Sequence, residues 1–148
     1  MELLTYSHAE QDSFIFSKMY DLFVNTHRFD RRYTPEDRLE LSQNCDYWFI
    51  LYHRKKNIIV AECSVENRHS ITKKHFYIQD VWVHPKFRGN NYCIQLLLNV
   101  FYTLEEGGIQ CSFSLVTQLN NTSAQSAYKK VFGEPVAKDE DYFYFSTE

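Results

Sequence analysis

The chain has 148 residues, a net charge of -3, and 44% hydrophobic and 17% aromatic residues. That suffices for one domain with its own core over residues 1–148, and it is too apolar for a disordered chain and too acidic for a nucleic-acid surface in bulk. No run approaches the ~18 apolar residues of a membrane span, and the N-terminus carries no basic-then-apolar leader, so the expectation is a cytoplasmic protein without membrane or nucleic-acid partners.

Glu2 to Tyr6 reads as a first strand. Ser7 and Glu10 have capping-box spacing, and Ile15, Met19, Leu22 and Phe23 behind them predict one apolar face of a helix ending near His27. Thr34-Pro35-Glu36-Asp37 starts a short second helix to about Leu41, with Thr34 as cap and Pro35 at the first helical position. Tyr47 to His53 and Ile58 to Val65, joined by the polar turn Arg54–Asn57, predict a hairpin. Asn67 to Lys74 is a polar connection, and Phe76 to Val83 is a strand closed by His84-Pro85.

From Tyr92 the stripe Cys93, Leu96, Leu97, Val100, Phe101 and Leu104 predicts the clearest helix, stopped by Gly107-Gly108. Ile109 to Thr117 alternates: Ile109, Cys111, Phe113 and Leu115 face one side, and Gln110, Ser112 and Ser114 the other. Thr122 to Phe132 is helical with Gly133 as terminator. Glu134–Lys138 and Tyr142–Ser146 form a hairpin around Asp139–Asp141. The order implies an α/β domain with a mixed sheet, one strand–helix–strand crossover among antiparallel neighbours, and helices on both faces. Cys45, Cys63, Cys93 and Cys111 form no CxxC and read as reduced thiols rather than a metal site.

The chemistry concentrates in Phe76 to Cys93. A strand runs through His84-Pro85 into a short loop with Lys86, Arg88 and Gly89, and a helix follows. Unpaired N–H groups at a helix start, the dipole and a guanidinium favour a pyrophosphate, although an ordinary β–α turn with solvated basic residues has the same appearance. Asn121, Ala124 and Tyr128, at offsets 0, 3 and 7, share one face of a later helix, as they would in any N-capped amphipathic helix.

Together these segments resemble the GNAT superfamily of acyl-CoA-dependent N-acetyltransferases. The first is similar to its motif A, a strand running into Val-x-Pro-x-Tyr/Phe-Arg-Gly and a Gln/Arg-x-x-Gly-x-Gly/Ala loop. Arg88 and Gly89 match, while Asn91 stands in place of Gly and Cys93 in place of Gly or Ala. The second is similar to motif B, Asn-x-x-Ala-x-x-x-Tyr ending in Gly. The resemblance implies a GNAT-like fold with a mostly antiparallel sheet splayed at the fourth strand. It implies acetyl-CoA as cosubstrate, held by Val81, Trp82, Val83, Lys86, Phe87, Arg88, Gly89, Asn90, Asn91, Tyr92, Cys93, Asn121, Ala124 and Tyr128.

In such enzymes an amine attacks the thioester directly. A strand-four N–H polarises the carbonyl, and the motif-B Tyr, here Tyr128, protonates the leaving thiolate. The strand is similar to that of spermidine/spermine acetyltransferases, which read Glu-Asp where Gln79-Asp80 stand. Asp80 is the first candidate base, with Gln79 able to orient a water; Glu62 is second and His75 third. The acceptor is a small-molecule amine, polyamine-like, or a peptide amine. Acidic Glu36, Asp37, Glu40, Asp139, Glu140 and Asp141 would suit a cation, as they would any solvated surface. The alternative is a catalytically degenerate module of the same fold that binds CoA or mediates protein contacts. A homodimer is compatible with either reading.

Overall fold

The computed structural model describes residues 1–7, 14–26, 45–105 and 111–148, with the side chain of Thr26 excepted. The predicted second helix, Glu10 of the capping box and Gly107-Gly108 lie outside these residues. The elements in chain order are β1 (Glu2–Ser7), α1 (Phe14–Thr26), β2 (Tyr47–His53), β3 (Ile58–Asn67), β4 (Lys74–Val83), α2 (Tyr92–Leu104), β5 (Cys111–Gln118), α3 (Thr122–Phe132), β6 (Ala137–Lys138) and β7 (Tyr142–Ser146). A single 3-10 turn, Pro85–Phe87, sits between β4 and α2.

The strands form one sheet in the order β1-β2-β3-β4-β5-β7-β6. Neighbours are antiparallel except β4 and β5, which the α2 crossover makes parallel. This is the mixed α/β architecture expected from the element order.

Two cores flank the sheet. The larger one packs Phe49, Leu51, Cys63, Ile78, Phe113 and Leu115 under α2 and α3. The other packs α1 against Tyr6, Trp48, Ile50 and Ile59. Trp48 is fully buried, with Phe16 edge-on at 5.2 Å and Phe23 edge-on at 6.1 Å. The buried face of α1 differs from the expectation in two residues: Phe16 and Tyr20 take core positions, while Ile15 is exposed and Leu22 only half-buried. Ile15 is 61% exposed, and Phe16 takes the core position at 1%. Phe16, Met19, Tyr20 and Phe23 recur at i, i+3, i+4 and i+7, so the aromatic rings rather than the aliphatic chain set the buried stripe.

Two features of β4 make the site. The rung Glu62↔Trp82 is followed by Ser64↔Gln79, so Asp80 and Val81 together oppose Cys63. This is a β-bulge, with Asp80 in the left-handed region at φ 55°. The parallel pairing with β5 covers only Lys74↔Cys111 to Tyr77↔Ser114. Beyond that rung β5 continues with β7, from Ser114↔Ser146 to Gln118↔Tyr142. Among the described residues, no strand pairs with the β5-facing edge of β4 from Ile78 to Val83, which leaves a wedge between the two strands.

Candidate active site

The loop after β4 is held by its own residues. The His84 ring nitrogen Nδ1 accepts from the Lys86 N–H at 3.1 Å and caps the 3-10 turn. Phe87 stands between His84 and Tyr92, with ring centroids at 5.5 and 6.0 Å. Gly89 then turns through φ 82° and Asn91 through φ 63°. Asn91 is the N-cap of α2, yet its side chain makes no capping bond. The first bond of the helix is Gln95 N–H to the Asn91 carbonyl at 3.0 Å. The amides of the preceding turn therefore remain available to an anion. Asn90 is turned away, its Nδ2 donating to the Phe87 carbonyl at 3.2 Å. Asn tolerates left-handed backbone better than most residues, and this lets Asn91 stand where Gly is usual.

A cleft of about 610 Å³ opens along this loop. One wall is β4 and the loop: Val81, Trp82, Val83, Phe87, Arg88, Gly89, Asn91, Tyr92 and Cys93. The other is α3, through Asn121, Ala124 and Tyr128. Of the residues expected to meet the cosubstrate, only Lys86 and Asn90 stand outside this lining. The cleft adds Ile94, Ser123, Ser126, Ala127 and Lys130. Ser123, Ala127 and Lys130 follow one another at helical spacing on α3, a signal that was present in the sequence.

The free edge of β4 forms the floor. The His84 N–H bonds the Val60 carbonyl at 2.7 Å, so by antiparallel alternation the Val83 N–H and C=O face the wedge. The Val83 carbonyl is met there by Arg88 Nε at 3.0 Å. Val81 and Val83 pack toward α2 and α3, and Trp82 toward α1, edge-on to Phe23 at 5.4 Å.

Tyr128 is buried on α3, edge-on to Phe145 at 5.7 Å. Burial raises its phenol above the ordinary range, and the nearby thiols of Cys93 and Cys63 add to the effect. It is therefore a hydroxyl that keeps its proton. Burial likewise pushes the Cys93 thiol up to about 11, so it lines the cleft as a neutral small side chain. Asn121 caps α3 through Oδ1, which accepts from the Ala124 N–H at 3.4 Å. Its amide NH2 is left to donate elsewhere.

The candidate bases differ in setting. Asp80 is exposed at the bulge and Gln79 is half-buried beside it. The Gln79 carbonyl accepts from Ser64 Oγ at 3.3 Å. Glu62 is only 5% exposed, and its Oε2 accepts from Trp48 Nε1 at 2.9 Å. Both His75 ring nitrogens are engaged, Nδ1 with Ser112 Oγ at 2.5 Å and Nε2 with Ser114 Oγ at 2.7 Å, so His75 clamps β4 to β5. Of the acidic residues, Asp139 organises the β6–β7 turn by accepting from Asp141 N–H, Tyr142 N–H and Tyr144 O–H. Glu36, Asp37 and Glu40 lie outside the described residues.

Among the described residues no group of His, Cys, Asp or Glu is placed to hold a metal ion, and no helix is long and apolar enough to cross a membrane.

Comparison with known proteins places the fold and the family. The family model described as "Acetyltransferase (GNAT) family" matches residues 16–133. Comparison with curated proteins by sequence gives no match. Among solved structures, Arabidopsis thaliana NAA60 in complex with a bisubstrate analogue is similar at TM-score 0.68 and 12% identity, covering 98% of this chain and 97% of that one. Arabidopsis thaliana Naa50 in complex with the bisubstrate analogue CoA-Ac-MVNAL is similar at TM-score 0.67 and 19% identity, covering 100% and 99%. An aminoglycoside acetyltransferase from an uncultured soil metagenomic sample is similar at TM-score 0.65 and 17% identity, covering 94% and 90%. With the family model spanning most of the chain and the cleft built from the matched segment, the chain belongs to the GNAT acetyltransferase family.

Proposed function

We propose that the protein transfers an acetyl group from acetyl-CoA to a primary amine, either a peptide amine (lysine side chain or N-terminus) or a small polyamine-like cation. One observation carries the reading: the phosphate-binding loop, the free edge of β4 and Tyr128 line a single continuous cleft. The residues fit the donor. Open amides at the start of α2 and the Arg88 guanidinium suit a diphosphate. The unpaired β4 edge suits an amide-bearing arm, which would add to it like a strand.

Each residue then has a part. An N–H of the Val81–Val83 stretch stabilises the oxyanion as the amine attacks the carbonyl. Tyr128 donates its proton to the departing thiolate; burial keeps the phenol protonated until that transfer. Asp80 and Gln79 stand at the bulge, where the acceptor amine would arrive. Much of the acceleration comes from holding donor and acceptor in line. The same fold holds the analogue CoA-Ac-MVNAL in Naa50 and serves an aminoglycoside acetyltransferase, so it is compatible with an acceptor of either size.

The test is calorimetric titration with acetyl-CoA, followed by thiol-release assays with short peptides bearing free N-termini, a lysine peptide and spermidine. Binding with turnover on any of these supports the reading. Binding without turnover identifies a CoA-binding module, and absence of binding overturns both.

A further inference from the structure

Glu62 is a carboxyl group in the interior of the sheet. Among the described residues no Lys or Arg pairs with it. Its one donor is Trp48 Nε1, at 2.9 Å on Oε2. A buried ionised carboxylate without a cation is costly, so a residue kept there needs a reason beyond packing.

Its position supplies one. Glu62 pairs with Trp82, between Val81 and Val83 on the reactive stretch of β4. The next residue, Cys63, packs in the α2–α3 core that holds Tyr128, so Glu62 points to the opposite face, where Trp48 belongs to the α1 core. At this rung, the thiol-leaving side and the carboxyl lie on opposite faces of the same strands. Glu62 is not itself part of the cleft lining; an amine reaching a thioester at the wedge from the face opposite Tyr128 would arrive on the Glu62 side of the strands. Asp80, exposed on the bulge beside it, is the charged group that acts on Glu62.

We propose that Glu62 is the proton acceptor for the attacking amine, an assignment that rests on the acetyltransferase reading above. The ammonium loses its proton to the Glu62 carboxylate, the freed lone pair forms the C–N bond, the C–S bond breaks, and Tyr128 gives its proton to the thiolate. Glu62 then returns its proton to solvent. Burial first, and then the Asp80 charge, hold the Glu62 carboxyl well above the ordinary carboxylate range, while the Trp48 bond opposes them. An exposed carboxylate is too weak a base for this task at neutral pH; a desolvated one is better matched.

The competing role is purely structural: Glu62 exists to satisfy the buried indole N–H. Glu62→Gln separates the two, because the amide oxygen still accepts from Trp48 and only proton transfer is lost. The experiment measures acetyl-CoA affinity and the pH profile of transfer to a free-N-terminus peptide and to spermidine, in wild type, Glu62→Gln and Glu62→Asp. The expected result is unchanged acetyl-CoA affinity in both variants. Transfer by Glu62→Gln should fall about 100-fold and lose the rising limb of the pH profile, and Glu62→Asp should recover part of both. Glu62→Gln transferring at the wild-type rate with the wild-type profile overturns the assignment and leaves the acetyltransferase reading standing. A wild type that binds acetyl-CoA yet acetylates neither acceptor overturns both. If Glu62→Gln does not fold, Glu62→Asp decides: slowed transfer with a shifted rising limb at unchanged acetyl-CoA affinity supports the assignment, and the wild-type rate with the wild-type profile overturns it.

Discussion

Arg88 Nε donates to the carbonyl of Val83 at 3.0 Å, so the cation of the loop is fastened to the free edge of the strand. The bond fixes the guanidinium while leaving its Nη groups free to meet an anion. Arg88→Ala should weaken acetyl-CoA binding at least about tenfold, and Arg88→Lys should recover little, since an ammonium cannot keep the backbone bond and a phosphate contact in the same fork geometry. Calorimetry on the three proteins checks this. Full recovery by Lys would show that charge alone matters.

Tyr128→Phe should lower kcat and kcat/KM together by about 100-fold with acetyl-CoA affinity nearly unchanged. The ring and its contact with Phe145 survive the change, so only the hydroxyl is removed. Because the phenol is held above its ordinary value of 10.0, wild-type activity should show no falling limb from Tyr128 at pH values up to that point. Equal rates in the two proteins would take Tyr128 out of the acid role.

Asn91 sits at φ 63° with its side chain uncommitted. Asn91→Gly should stabilise the fold by up to about 1 kcal/mol, and Asn91→Ala should destabilise it by about the same amount, because a Cβ is disfavoured in the left-handed region. The Gly variant should also bind acetyl-CoA several-fold more tightly, since the cleft then loses a side chain beside the phosphate cradle. Denaturant melts and titrations read the two effects separately. Unchanged affinity would place the Asn91 side chain clear of the donor.

His75 offers a pH signature. Burial lowers its pKa below 6.5; Arg68, Lys73 and His69 act in the same direction, and Glu148 opposes them. A depressed folded-state pKa means that the unfolded chain takes up the proton first. The stabilising contribution is therefore complete above the unfolded value of 6.5 and is lost as pH falls through the folded one. Wild-type melting temperature should drop more than that of His75→Gln between about pH 7.5 and about pH 5.5. His84 is shifted the same way and is common to both proteins, so the difference isolates His75. Parallel curves would show that the serine clamp does not sense the proton.

Much of this was readable from residue order. The strand–helix periods, the Gly133 stop and the single crossover define the mixed sheet, because burying one face of each element leaves few arrangements. Arg88, Gly89, Asn121, Ala124 and Tyr128 were legible through their resemblance to the two family motifs, since by spacing alone an ordinary β–α turn and an N-capped helix look the same. The α1 stripe was less so: Ile15 and Phe16 are adjacent apolar residues, and only the docking of the helix on Trp48 decides which one is buried.

Sequence by itself thus determined the family fold, the basic loop between β4 and α2 and the helix that carries Tyr128, all of which depend on neighbours within a few turns of chain. The tertiary structure alone decided that Asp80 and Val81 together oppose Cys63, that the pairing of β4 with β5 stops at Tyr77, and that Glu62 meets Trp48. These arise from register between strands, and register is fixed by the summed packing of two cores rather than by any short stretch of residues.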